Sequence, residues 1–355
     1  MTSVYECARW VVDNAAEVRI NTSKLQEFVE RHADTKPIGS SAAAGGDADA
    51  PQAFLGWREC PFHFVESHPG ELQALYVLVL DALNFCFWPT DPTHTHTTHG
   101  NANNNNSFEY EHLARGLRRV ATERPHDLTP HRLASITEAQ LSEWLGVGVG
   151  ERGMLYLCLM DERVRLVRQL GTALLEGFGG SAVNMVRRAD RSAVELVRLI
   201  TAHLPGFRDE AVYRGHQVVF YKRAQILVAD LWGAFGTAEC DGLCDFHDID
   251  QLTLFADYRV PQLFRELGVL EYSDDLDQCI ASRSPIHPDS PREVEIRAAA
   301  IVACRMVRDG LNGGTSRGGK SHKWMDIQVD WLLWQLGERM RDTMRPHHRT
   351  LTVFY

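Results

Sequence analysis

The sequence has no uninterrupted apolar stretch of the roughly 18 residues that a membrane-spanning helix needs, so no membrane association is expected. It also lacks an excess of basic residues. Against 47 acidic side chains stand 37 basic ones, a formal net charge of −10, which disfavours a broad surface for tracking phosphates and predicts no direct nucleic-acid partner. A small anionic ligand held by a few local bases remains compatible with that charge. Close cysteine pairs are scarce as well: the eight cysteines stand mostly alone in apolar runs, as expected of reduced, buried thiols in a cytoplasmic protein rather than a disulfide framework. The first residues carry Glu6 and Asp13 and do not form the pattern of a secretory signal. No GxSxG elbow, HExxH helix or GxxxxGK[ST] loop occurs, so the common nucleophile, zinc-protease and phosphate-loop signatures are all missing.

What is present is helical periodicity in an ordinary globular composition, 44% apolar and 24% charged. Residues 4–18 are expected to form a first helix, and "NTSKLQEFVERH" a second with Asn21 or Thr22 as N-cap. "SITEAQLSEWLG" carries a capping box, Thr137 with Gln140 three residues on. The glycines of "LGVGVGERG" (Gly148, Gly150, Gly153) match GxGxxG but follow a helix rather than a strand, so they predict a helix C-cap and turn. "MLYLCLMDERVRLVRQLGTALLEGFGGS" predicts a long helix ended by Gly177, Gly179 and Gly180, and "GHQVVFY" a short strand. Strand and helix do not alternate regularly, and no internal repeat is visible. The expected fold is mainly α, a multi-helix globular fold with at most a short β element. Residues 1–355 are taken as a single catalytic domain, with a division into two helical lobes left open. Residues 34–56 predict a flexible loop. Residues 89–107 predict a low-complexity His/Asn insert; its His94, His96 and His99 have metal-ligand character but no acid or cysteine close by.

Four clusters could carry chemistry. In "LTLFADYRVPQLFRELGVLEYSDDL" (residues 252–276), Asp257 lies between Phe255 and Tyr258, just ahead of a helix whose first turn should hold Pro261. Asp257 is therefore either a plain N-cap or a functional acid in an apolar setting. In "FYKRAQILVAD", Lys222 and Arg223 beside aromatics at a helix start form either a phosphate site or a solvated basic turn. In "VDWLLWQL", Asp330 and Trp334 are four residues apart and share a helix face, either around a ring-shaped ligand or at the edge of the core. Cys240, Cys244 and His247 offer three metal-ligand types in "CDGLCDFHDID", but no second cysteine pair completes a structural zinc site, and no metal is expected.

"FYKRAQILVADLW", the FADYR stretch and "EVEIRAAAIVA", with "LLEGFGGSAVN", "LDALNFCFW" and the closing "HHRTLTVFY", closely resemble the queuosine salvage proteins, the queuosine 5′-phosphate N-glycosylase/hydrolases. The resemblance runs along the chain from about residue 4 to residue 355, interrupted at 34–56 and at the His/Asn insert. It implies an all-helical fold akin to helix-hairpin-helix DNA glycosylases and a cofactor-free hydrolase. That enzyme releases queuine from queuosine 5′-phosphate, leaving ribose 5-phosphate, in salvage for tRNA modification. It further implies that Asp257 is the catalytic carboxylate and that Phe255 lines the base. Asp330 and Trp334 would be base-binding residues of the last helix, and His63 the family's histidine after the early tryptophan. Where the family often has a second acid after that last-helix tryptophan, this chain has Gln335.

The chemistry explains these residue types. Cleaving an N-glycosidic bond builds positive charge on the ribose, and a fixed carboxylate beneath the anomeric carbon stabilises that charge most in the transition state. Whether Asp257 stabilises, orients water or attacks is not decided by sequence. A 7-deazapurine leaving group lacks the ring nitrogen that purine hydrolases protonate, so hydrogen bonds to the base must do more. Asp330 is the candidate polar anchor, Trp334 the stacking or cation–π surface, and Tyr258 a further wall of the site. Lys222 and Arg223, with Arg259 in reserve, are the candidate phosphate ligands. Two other classes compete: a nucleic-acid base glycosylase, which would need a basic face, and a helical binding protein that holds a nucleobase or nucleotide without turnover.

Overall fold

A computed structural model describes residues 3–37, 56–88, 108–148, 155–236, 242–313 and 323–355. The predicted His/Asn insert lies outside these, as do residues 38–55 of the predicted loop. The described residues hold fourteen α-helices and two small antiparallel sheets, so the fold is mainly α. The chain divides into two compact units, Met1–Gly56 with Asp209–Gln225 and Asp248–Leu351, and Trp57–Arg208 with Ile226–His247 and Thr352–Tyr355.

In the first unit a long helix, α13 (Pro291–Gly313), is the hub. Packed on it are α1 (Val4–Asp13), α2 (Thr22–Arg31), α11 (Arg259–Glu266) and α14 (Asp326–Met340). Its residues from Glu293 to Cys304 are buried throughout, an all-round burial that leaves no solvent face and explains the alanine-rich run in its middle. Asn21 caps α2, accepting from Lys24 N at 3.0 Å, as expected. The first helix is shorter than its periodicity predicts. Asn14 closes it with a side-chain hydrogen bond to Trp10 O (2.8 Å), and Val18–Ile20 becomes strand β1, paired with β4 (Leu270–Tyr272). The buried carboxylate of Glu295 reaches in from α13 and accepts from the N–H groups of Ala16, Glu17 and Val18 at 3.1, 2.7 and 3.2 Å. Those donors would otherwise be spent inside a longer helix, so a tertiary contact overrides local periodicity. The predicted strand is β3 (His216–Val219), and it has a partner the sequence did not announce, β2 (Glu210–Tyr213). Arg214 and Gly215, with φ of 46° and 81°, make the turn between them in the mirror-image conformation that suits hairpin twist.

In the second unit α3 (Glu71–Ala82) is buried from Gln73 onward and contacts α4 (Tyr110–Glu123), α7 (Met160–Phe178) and α8 (Ala182–Arg188). The capping box at Thr137 opens α6 (Glu138–Leu145) as predicted, but the helix ends on Gly146 at φ 67° rather than on the glycines of the GxGxxG match; Gly150 and Gly153 lie outside the described residues. α7 begins at Met160, later than predicted. Gly177 sits inside it, and Gly179, at φ 63°, is the residue that ends it. Halfway along α7, Gly171 permits a close approach to α5 (Pro130–Ala134): a Cβ there would lie 2.3 Å from Ala134 N. No described helix is long and apolar enough to cross a membrane.

Candidate active site

Residues 252–258 link a short 3₁₀ turn to α11 without being helix or strand, yet Leu252 to Ala256 are each at most 3% exposed. Buried irregular backbone needs hydrogen-bond partners, and here side chains from three helices supply them. Thr253 N donates to Gln225 Oε1 (2.9 Å), from the first turn of α10 (Lys222–Phe235). Phe255 N donates to Asp330 Oδ1 (3.1 Å), from α14. Ala256 O accepts from Arg297 Nε (3.0 Å), from α13. Asp257 is thus delivered by a segment pinned on every side.

The Asp257 carboxylate stands at the N-terminus of α11. Its Oδ1 accepts from Arg259 N (2.9 Å) and Val260 N (3.1 Å), while Oδ2 has no hydrogen-bond partner among the described residues. Pro261 falls in the first turn as predicted, where its missing N–H costs nothing. Burial pushes the Asp257 carboxyl above its ordinary range, opposed first by the Lys222 ammonium and then by the two N–H groups and Arg259. Asp330 is more strongly perturbed. Burial, and next the like charge of Asp257, hold it well above the usual carboxylate range, against the pull of Phe255 N–H and Lys222. Burial holds both carboxyls above their ordinary range, Asp330 further than Asp257, so a proton shared by the pair favours Asp330. Lys222, itself 5% exposed, acts on both.

Of the sequence candidates, Phe255, Asp257, Tyr258, Lys222 and Asp330 therefore meet in one place in the first unit. Tyr258 is buried and stacks on His347, centroids 4.5 Å apart. Trp334 is half-buried one turn after Asp330 on α14, with Gln335 beside it. Arg223 is 1% exposed, so the solvated basic turn considered from sequence is not what forms. Arg259 is already engaged: Nε donates to Glu338 Oε1 and Nη1 to Gln262 Oε1, both at 2.7 Å, and its stem lies across Gly337 of α14, where a Cβ would come within 3.0 Å of Cγ. His63 belongs to the second unit. Its Nδ1 hydrogen-bonds Trp57 O and its Nε2 the Tyr110 hydroxyl, each at 2.9 Å, and burial pushes it down to about 4. Trp57 O can only accept, so Nδ1 carries the proton and Tyr110 donates to Nε2. Sequence reasoning missed Gln225, Thr253, Asp209, Arg297 and His347. Only Arg297 left a trace, as the one basic residue inside "EIRAAAIVA". No group of three or more potential metal ligands occurs among the described residues.

Two buried carboxyls, both held above their ordinary range, beside a buried lysine make this the candidate site for chemistry on a small molecule. The model of the family described as "Queuosine salvage protein" matches residues 63–355, and the chain belongs to that family. It is 38% identical to a Dictyostelium discoideum protein named queuosine 5′-phosphate N-glycosylase/hydrolase, over 100% of this chain and 99% of that one. Proteins of the same name from Sphaerobacter thermophilus (44% identical; 80% of this chain, 82% of the relative) and Mus musculus (31%; 99% and 98%) are also similar.

Proposed function

We propose that this protein hydrolyses the N-glycosidic bond of queuosine 5′-phosphate, releasing queuine and ribose 5-phosphate in the cytoplasm, with Asp257 as the catalytic carboxylate. Family membership and the relatives' shared name support the reaction. The observation that carries the residue assignment is the division of Asp257: one oxygen is held by the N-terminus of α11 and the other is left for a ligand. Lys222 and the helix N–H groups favour its charged form, and that charge stabilises the ribosyl cation as the base departs. Because its orientation is fixed before the reaction, little reorganisation is needed in the transition state. Burial and the Asp257 charge favour the protonated form of Asp330, which can donate to the departing base, a task that falls to hydrogen bonds when the leaving group is a 7-deazapurine. Phe255, Tyr258 and Trp334 supply apolar and stacking surface that lowers the local dielectric around these charges. Lys222 and Arg223 are the phosphate candidates, two adjacent bases at the start of α10; Arg259 is bound to Glu338 and Gln262.

The test is incubation of the purified protein with queuosine 5′-phosphate and, separately, with GMP, followed by mass detection of free base and ribose 5-phosphate. Queuine release with GMP left intact is expected. Absence of queuine, or equal cleavage of GMP, would reject the assignment.

A further inference from the structure

Arg297 lies in the middle of α13, 2% exposed, and its guanidinium is spent in several directions. Nε donates to Ala256 O (3.0 Å), the carbonyl immediately before Asp257. Nη1 and Nη2 grip both oxygens of Asp209 at 2.9 and 2.5 Å, and Nη1 also reaches Glu293 Oε1 at 3.1 Å. The plane sits 4.0 Å from the centroid of the Phe220 ring. Asp209 in turn holds the start of α10: its Oδ2 accepts from Lys222 N (3.0 Å), and its backbone O accepts from Phe220 N (2.9 Å) and Tyr221 N (3.2 Å). Tyr221 stands at φ 50°, an uncommon conformation for a non-glycine residue, and its hydroxyl is tied to Glu210 Oε1 at 2.8 Å. One guanidinium therefore joins the peptide that delivers Asp257 to the carboxylate that starts the Lys222 helix.

We propose that Arg297, through Asp209, is a positioning residue for the reaction, fixing the placement of Lys222 relative to Asp257; this rests on the proposed hydrolysis at Asp257. Burying an arginine together with two carboxylates is a poor way to gain stability, since apolar packing of similar volume generally does as well. It is a good way to fix geometry, because a planar fork bound to a carboxylate sets direction as well as distance. Lysine keeps the charge but not the fork. Arg297→Lys thus separates the two roles. The groups that act on the Asp257 carboxyl are Lys222, Arg259 and the neighbouring Asp330. If Lys222 drifts away, the influence that favours the charged form of Asp257 weakens, and the acid limb of the kcat/KM profile moves to higher pH.

The experiment measures kcat, KM and the pH profile of queuosine 5′-phosphate cleavage for wild type, Arg297→Lys and Asp209→Asn, with circular dichroism and thermal melts as fold controls. Expected for folded Arg297→Lys is a kcat lower by ~10- to 100-fold, the scale of a misplacement near 1 Å, with KM near wild type and the acid limb displaced upward. Asp209→Asn, which preserves shape and removes the fork's acceptor charge, should show the same signature and covers the case in which the lysine variant does not fold. The proposal is overturned if either folded variant keeps wild-type kcat. It is equally overturned if activity falls only in proportion to folded protein with the acid limb unmoved. An inactive wild type in the same assay would instead overturn the hydrolase reading itself.

Discussion

Replacing Asp257 by asparagine removes one charge while disturbing almost nothing else. Asparagine has nearly the same shape, and its carbonyl oxygen can still accept from Arg259 N and Val260 N, which Oδ1 now does at 2.9 and 3.1 Å. The start of α11 should therefore survive. Burial already disfavours the ionised form of Asp257, so a neutral side chain there carries no new desolvation cost, and the melting temperature should not fall. What disappears is the negative charge that, in the proposed mechanism, faces the ribosyl cation. Removing a preorganised electrostatic group at a reacting centre costs ~100- to 1,000-fold in kcat, or about 2.7–4 kcal/mol of transition-state stabilisation. The assay is single-turnover release of queuine from queuosine 5′-phosphate, followed by mass spectrometry, which isolates the chemical step from product release. A folded Asp257→Asn protein releasing queuine at the wild-type rate would show that the carboxylate serves only the helix, and the mechanism above would fail.

Asp330→Asn should be milder, within ~10-fold of wild-type kcat, because an amide can both accept from Phe255 N and donate to the base as a protonated carboxyl does; a loss as deep as that of Asp257→Asn would mean that Asp330 works as an anion. Asp330→Ala leaves Phe255 N–H buried without its acceptor and should destabilise by ~1–3 kcal/mol, read from the urea midpoint; an unchanged midpoint would discount that bond. For pH, the sign at Asp330 is set by its raised value: the stability it contributes is present while it is protonated and is lost as pH rises through that value, so Asp330→Asn should gain on wild type toward alkaline pH. His63 runs the other way. Pushed from 6.5 down to about 4, it contributes stability complete above its ordinary value and lost as pH falls toward 4, at most ~3 kcal/mol, and titration of its ring between pH 6 and 7 by NMR would contradict the burial. Gly171→Ala would place a Cβ 2.3 Å from Ala134 N and 2.6 Å from Pro130 O; these are backbone atoms that cannot swing aside, so a loss of ~1–3 kcal/mol or more is expected in urea unfolding, and a neutral result would mean that α5 slides freely on α7.

Local patterns in the sequence carried the helices well wherever cap chemistry was local. Asn21 and the Thr137–Gln140 box sit where hydrogen bonds three residues apart decide the helix start. They failed where a distant group decides. Helix α1 ends early because Glu295, some 280 residues away in sequence, claims the N–H groups of residues 16–18. Strand β2 went unseen because its pattern is short and its pairing is with a strand already at the limit of recognition. In the candidate site, Asp257, Lys222 and Asp330 stood out in the sequence as ionisable residues set in apolar company, a combination that needs a reason. Their supports did not. Gln225, Asp209 and Arg297 act by long-range hydrogen bonds to backbone, and no spacing rule links residues 209, 256 and 297.

The two sequence readings of Asp257, helix cap and functional acid, are not alternatives in this geometry. A carboxylate has two oxygens, and here they divide. The pair of N–H bonds to Oδ1 does for the site what it does for the helix: it fixes the plane of the group and, with the positive end of the helix dipole, favours the charged form that burial disfavours. A cap that satisfied both oxygens would leave nothing for a ligand, and a carboxylate with no cap would rotate and take up a proton more readily. The acid stands two residues ahead of the first helical residue, Arg259, with Pro261 in the first turn, and follows a buried strap held by side chains at Thr253 N, Phe255 N and Ala256 O, so its plane is fixed. The same reasoning accounts for Tyr258 and Arg259 following it directly. Tyr258 stacks on His347 and Arg259 binds Glu338 and Gln262, and neither hydrogen-bonds Oδ2 through its side chain among the described residues.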